Sequence, residues 1–423
     1  MKNSSILQDW MKNENAITNW LLENEEDMIA TAQYIWEHPE IAYEEKLSSK
    51  CLGEYLEKNG FHVEWNTADI ATAFTATWGS GRPYIGFLAE YDALAEIGHA
   101  CGHNLYGTAV AGAACALKED LKEGTIIVYG CPAEEILSGK IFMNQAGVFD
   151  ELELAVTWHP FDKNRISNDI WQSIRVKNYT FRGRTAHAAK APEAGRSALD
   201  AAELMNIGVN YLREHVPDGV RMHYAYKDNG IPANVVPDFA KTNYFIRSYK
   251  DDVTNDVEAR VDNCARGAAL MTGTTVDIEL VTSCKEMKVN RAMTEVYYDA
   301  MTKISVPTYT EEELAFAAQI TKEAGLDNGG VYFEGLHPLE DEPIPMPIGT
   351  DVAEVSYKVP TITISAAAIC KGTPLHHWAT TKQVGMSIGH KGMFYAARCM
   401  AEGTKLFLEN PENLKRAWEL HRK

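Results

Sequence analysis

The 423-residue sequence has no long apolar stretch: its longest run of small and apolar residues, 108–117 (TAVAGAACAL), falls far short of the roughly 18 that a membrane span needs. It also lacks a CxxC pair, an HExxH helix, an internal repeat, a low-complexity tract and a long Pro/Gly/Ser linker. The most specific metal-site signatures and the repeat architectures are thereby excluded. Eight cysteines in so long a chain lack the dense spacing of a disulfide scaffold and read as reduced residues. Positive charge is in deficit, 40 Lys and Arg against 59 Asp and Glu. The resulting formal charge of −19 repels phosphate backbones and anionic lipid, so neither a nucleic-acid nor a membrane partner is expected. The polar, acidic first twenty residues do not form the charged start and apolar centre of a signal peptide. A cytoplasmic location is the expectation. What is present is an ordinary globular composition, 45% hydrophobic and 23% charged, enough for roughly two or three domains at about 150 residues each.

The periodicity predicts helices over 29–36 and 43–58, with Gly60 closing the second. β-rich runs follow at 84–88, 125–129 and 154–158, the first two separated by a small-residue helix over 105–118. Strand, helix, strand is the pattern of a parallel α/β sheet. Over 171–285 the order becomes βαββαβ, a unit that closes into a small ferredoxin-like sheet with helices on one face. Helical text resumes beyond 287, and a buried-looking strand spans 360–368. The expected architecture is therefore a catalytic α/β domain with a mostly parallel sheet, formed by 1–170 and 287–423, interrupted by an inserted domain at 171–286.

The densest chemistry is His99-Ala100-Cys101-Gly102-His103, just after the strand in YIGFLAEYDAL. Glu134 and Glu135 follow the run TIIVYGCPA, His159 follows LELAVTW, and His376 and His377 follow TITISAAAICKGTPL. Ligands in open α/β sheets collect at the carboxyl ends of strands, so these runs point at one crevice. Each signal alone is an ordinary polar strand end. Together, Cys101, His103, Glu135, His159 and His376 supply five donors of the kinds borderline divalent ions accept. If one bridges, the set suits two ions. The adjacent glutamates fit a division of labour, one on a metal and one taking a proton from water.

AEYDAL, GHACGHN, GCPAEE, TWHP, AHAAKAPEAGRSALDA, ANVVP, TDVAEVSYKVPT, GTPLHHW and SIGHKGM, in this order over residues 30–405, resemble the amidohydrolase branch of the aminoacylase and carboxypeptidase-type dinuclear metallopeptidases. The resemblance implies that the inserted domain is a lid and dimerisation domain. It also implies that Cys101, His103, Glu135, His159 and His376 are the metal ligands, with Cys101 bridging where many relatives use an aspartate, and that Glu134 is the general base. His377 stands where a small hydroxyl residue is usual. By the same resemblance His187 steadies an oxyanion in a neighbouring site, Asn234 and Arg247 hold the substrate carboxylate, and Thr350 in the loop 349–351 lines the pocket.

The activity so implied is hydrolysis of the amide in a small-molecule N-acyl or N-aroyl amino acid by a homodimer, with a sister subunit of the family as a further partner. Thiolate favours zinc, whereas carboxylate and imidazole also accept manganese and cobalt; the resemblance points to manganese. A dipeptidase, a hydrolytic deaminase of an aromatic amine and a non-catalytic metal-binding partner subunit are the alternatives, and the retained Glu134 weighs against the last.

Overall fold

The computed structural model describes residues 5–230, 232–326 and 335–422. Packing divides the chain into two compact units, one made of Met1–Asp169, Lys288–Ile344 and Glu354–Lys423, the other of Ile170–Met287 and Pro345–Ala353. Among the described residues no helix is long and apolar enough to cross a membrane.

The first unit opens with helices α1 (Ala16–Glu23), α2 (Glu25–Glu37) and α3 (Lys46–Lys58). Its sheet contains β1 (His62–Trp65), β2 (Phe74–Ser80), β3 (Tyr84–Ala89), β4 (Gly124–Gly130), β5 (Leu154–Phe161), β6 (Arg165–Ile166) and the strand Thr361–Ala367. Their spatial order is β1-β2-β4-β3-β5, then Thr361–Ala367, then β6. Pairings β3/β4, β3/β5 and β5 with Thr361–Ala367 are parallel. Pairings β1/β2, β2/β4 and β6 with Thr361–Ala367 are antiparallel. The sheet is therefore mixed, which corrects the expectation of a mostly parallel one. The reason lies in burial: the four central strands are covered on both faces and read as continuous apolar runs, whereas β1 and β2 at the edge are partly exposed and carry interspersed polar residues.

Helix α4 (His103–Lys118) is buried over almost its whole length. Its small residues permit that depth. A Cβ on Gly107 would lie 2.6 Å from the Glu90 carbonyl oxygen, and one on Gly112 would lie 2.3 Å from Met28 Cε. The helix thus rests directly on the chain leaving β3, and its first turn is held at the strand ends.

In the second unit, an antiparallel sheet runs in the order Thr275–Cys284, Ser173–Arg182, Phe239–Ser248, Arg221–Asp228. Helix Ala198–Leu212 is capped by the Ser197 hydroxyl, and Asp251–Thr272 is ended by Gly273 in the left-handed region. Tyr179, Phe181, Met205, Ile246, Val257 and Val261 form its core.

His390, on the helix Ser387–Leu408, is buried with no hydrogen-bond partner at Nε2, and burial lowers its pKa to about 4. The unfolded chain binds this proton at higher pH than the folded one, so the stability from keeping the ring neutral is fully present above about pH 6.5 and is lost as pH falls toward 4. The loss by pH 4 is about 3 kcal/mol. Urea unfolding at pH 7 and pH 4.5 is expected to show a fall that includes this share, and His390→Leu is expected to make the fall smaller by about 2 kcal/mol.

Candidate metal centre

Each donor named from the sequence sits just beyond, or at the end of, one of the parallel strands. Cys101 and His103 lie at the start of α4, after β3. Gly102 between them has φ +80°, and a Cβ there would meet Pro160 Cγ at 2.7 Å. Only glycine gives the turn both the left-handed conformation and the space. Glu134 and Glu135 occupy a short turn after β4, flanked by the left-handed residues Ala133 (φ +59°) and Leu137 (φ +54°). His159 is near the end of β5. His376 (φ +59°) follows the strand Thr361–Ala367, and its backbone N–H donates to Ala100 O at 2.9 Å.

The donor atoms of Cys101, His103 and His159 all lie within 4.8 Å of one another, as do those of Cys101, Glu135 and His376. Cys101 belongs to both groups. Its Sγ is 3.4 Å from His159 Nε2, and His376 Nε2 is 3.1 Å from Glu135 Oε2. An ion about 2.3 Å from sulfur and about 2.0 Å from nitrogen would see the first separation at roughly 100°, close to tetrahedral. His103 Nε2 and Glu135 Oε1 are buried without a hydrogen-bond partner, and such atoms are costly unless something binds them. The residues fit divalent ions.

Orientation is supplied from behind. His103 Nδ1 donates to Asp92 Oδ1 (2.8 Å), and His159 Nδ1 donates to Pro160 O (2.9 Å), so in the neutral ring each Nε2 faces the cluster as an acceptor. Burial, followed by His103, lowers the His159 pKa to about 4 and keeps the ring neutral. Burial, with Glu135 next, pushes the Cys101 thiol up; a bound cation supplies what a thiolate there needs. His376 is the exposed donor, its side chain 53% accessible. His377 is engaged elsewhere: its Nδ1 accepts from Ala379 N–H at 3.3 Å and caps the helix Trp378–Val384. His99 also points away, with Nε2 donating to Ile35 O at 2.9 Å.

Three residues beside the cluster were not assigned roles from the sequence. Asp92 accepts from the His103 ring through Oδ1 and from Glu135 N–H through Oδ2 (2.9 Å). Glu90 and Lys140, both buried, approach to 2.7 Å. Glu90 Oε2 lies 3.4 Å from His103 Nε2, and the donor atoms of Glu90, His103 and Glu134 form a third close group. The AEYDAL motif held the signal for Glu90 and Asp92; nothing local marks Lys140.

His187, Asn234, Arg247 and Thr350 all belong to the second unit. Its backbone brings the first two together: His187 bridges to Val235, and Ala188 N–H donates to Asn234 O at 3.0 Å. His187 Nδ1 accepts from Ala189 and Lys190 N–H, so in the neutral ring the proton sits on exposed Nε2. Arg247, on Phe239–Ser248, stands opposite Arg221, and its Nε is buried without a hydrogen-bond partner. Burial lowers its pKa. Thr350 Oγ1 accepts from Val352 N–H at 3.2 Å, at the start of the helix Val352–Lys358.

No family model matches the chain. It is 39% identical over 426 residues to a subunit of the p-aminobenzoyl-glutamate hydrolase of Escherichia coli, covering 90% of this chain and 89% of that one. It is 30% identical over 342 residues to the human Xaa-Arg dipeptidase, covering 75% and 77%. Its fold matches a crystal structure from Bacillus subtilis, described as a dinuclear metal-binding peptidase of the M20 family, with a TM-score of 0.61, 18% identity and coverage of 92% and 99%. By the identity and coverage of the first match, the chain belongs to the amidohydrolase branch of the aminoacylase and carboxypeptidase-type dinuclear metallopeptidases, the branch that includes p-aminobenzoyl-glutamate hydrolase.

Proposed function

We propose that this protein hydrolyses the amide bond joining an acyl or aroyl group to an amino acid. The observation that carries the reading is the pair of donor groups sharing Cys101, with Glu134 next to one of the donors. Bound divalent ions would polarise the amide carbonyl and make a water easier to deprotonate. Glu134 accepts the water proton as oxygen bonds to the carbonyl carbon, and returns it to the leaving nitrogen as the C–N bond breaks, giving a carboxylic acid and an amine. The Nε2–H of His187 donates to the developing oxyanion. Arg247, with Asn234, binds the free carboxylate of the amino acid, and Thr350 lines the pocket; the unpartnered buried Nε of Arg247 supports its role.

Manganese or zinc, with cobalt also accepted, occupies the two groups, and the protein works in the cytoplasm. The domains read at 1–170 with 287–423 and at 171–286 serve as catalytic body and as lid with dimer contact. A sister subunit is a further partner, a reading favoured by the subunit organisation in the name of the E. coli relative. The dipeptidase reading has one observation in its favour, the name of the human relative.

A panel of N-benzoyl, N-acetyl and free-amine dipeptide substrates, scored for released amino acid and ammonia, tests the activity. The expected result is amino acid from the N-acylated substrates; preference for the free-amine set would favour the dipeptidase, and ammonia alone would overturn both. Glu134→Gln is expected to keep its metals and lose about 10²- to 10⁴-fold in turnover. His376→Ala is expected to lose metal by elemental analysis, whereas His377→Ala retains it; the reverse pattern would reassign the ligand. For His187 acting in a partner's site, mixing inactive Glu134→Gln and His187→Ala chains under subunit exchange should restore activity, and no recovery despite exchange would remove that role.

A further inference from the structure

The turn that carries Glu134 and Glu135 is held in an unfavourable backbone conformation. Ala133 and Leu137 are both left-handed without being glycine, a cost of roughly 1 kcal/mol each. Such a turn persists only when its surroundings over-determine it. Part of that determination comes from within: Leu137 N–H donates to Glu134 O at 2.7 Å, and a Cβ on Gly139 would come 1.8 Å from Pro132 O. Asp92 adds a bond, its Oδ2 accepting from Glu135 N–H at 2.9 Å, and the two ends of the turn are held by the segment between α2 and α3. Glu45, fully buried, accepts from Ala133 N–H at 2.9 Å across 88 residues of sequence, and Tyr43, itself left-handed at φ +65°, shares a 2.5 Å hydrogen bond with Ser138 Oγ.

Glu45 stands at the N-cap of α3, where a carboxylate would ordinarily bind the helix's own free N–H groups. It does not. Glu40 does that instead, accepting from Leu47 and Ser48 N–H at 2.9 Å through one oxygen. The Glu45 carboxyl is thus released from the local task and spent on the turn, despite the cost of burial, which together with the nearby Asp92 carboxylate raises its pKa to about 7.

We propose that Glu45, assisted by Tyr43, is a positioning residue that clamps both ends of the 133–138 turn and so sets where the Glu134 carboxylate stands relative to Glu135. The proposal rests on the reading of Glu134 as general base. A misplacement of about 1 Å at such a group costs on the order of 10²-fold in rate.

The test uses the full-length, metal-loaded protein and the N-acyl amino acid of the panel that is turned over best. Glu45→Leu is expected to lower kcat about 10- to 100-fold, with KM within about two-fold and with metal content and thermal midpoint near wild type. Glu45→Gln is expected to recover kcat to within about three-fold, because its amide oxygen can accept from the same N–H. Tyr43→Phe, which removes one hydroxyl, is expected to lower kcat by about three- to ten-fold and decides the matter if Glu45→Leu does not fold. Unchanged kcat in Glu45→Leu or in Tyr43→Phe overturns the clamp, as does a Glu45→Gln enzyme no better than Glu45→Leu. Glu134→Gln, assayed alongside, separates the two ideas: if it stays active, the general-base reading itself has failed; if it is inactive while Glu45→Leu is unimpaired, only the clamp falls.

Discussion

Both oxygens of the buried Asp92 carboxylate are spent on joining two pieces of chain that carry donors. One oxygen accepts a hydrogen bond from the His103 ring at the start of α4, and the other accepts from the backbone N–H of Glu135 in the turn after β4. The loop after β3 thereby ties the start of α4 and the turn after β4 to one reference point. The tautomer of His103 and the facing of its Nε2 follow from that carboxylate, which also anchors the middle of the glutamate turn, and the remaining donors are delivered to it by strands fixed in parallel register. Rigid strands set the coarse positions and one side chain sets the fine ones, as a preorganised site requires.

The crowding of acid around this point has an electrostatic meaning. Glu45, Glu90, Asp92 and Glu134 are buried close to it, with one buried ammonium, Lys140, paired to Glu90. Carboxylates so near one another cannot all stay ionised in a low-dielectric interior without compensating cations. A protein that gathers them has arranged a place where divalent charge is the stabilising partner.

Much of this was legible in the sequence, and what was missed has identifiable causes. The central strands announced themselves as uninterrupted apolar runs, and the donors lay directly after them, so Cys101, His103, Glu135, His159 and His376 could be named from pattern and meet in the fold. At the β1 side of the sheet, β1 is too short and β2 too interspersed with polar residues to register as runs. The choice between His376 and His377 depends on which backbone turns left-handed and which ring caps a helix, a matter no residue type reveals. Lys140 and Glu45 were hidden for a different reason. Their roles come from burial against partners far off in sequence, and an acid or a lysine in a polar stretch reads as surface until the fold encloses it.

The two close-packed glycines of α4 respond differently to change. At position 107 the neighbour is a backbone carbonyl, that of Glu90, and backbone cannot yield without moving β3 and the loop that holds Asp92. At position 112 the nearest atoms belong to the end of a methionine side chain, which can rotate aside. A side chain at position 112 therefore needs only Met28 to move, while position 107 stays closed. The boundary of the site is drawn by rigidity of contact, and distance from the metal ligands is a poor guide to which substitutions it will accept.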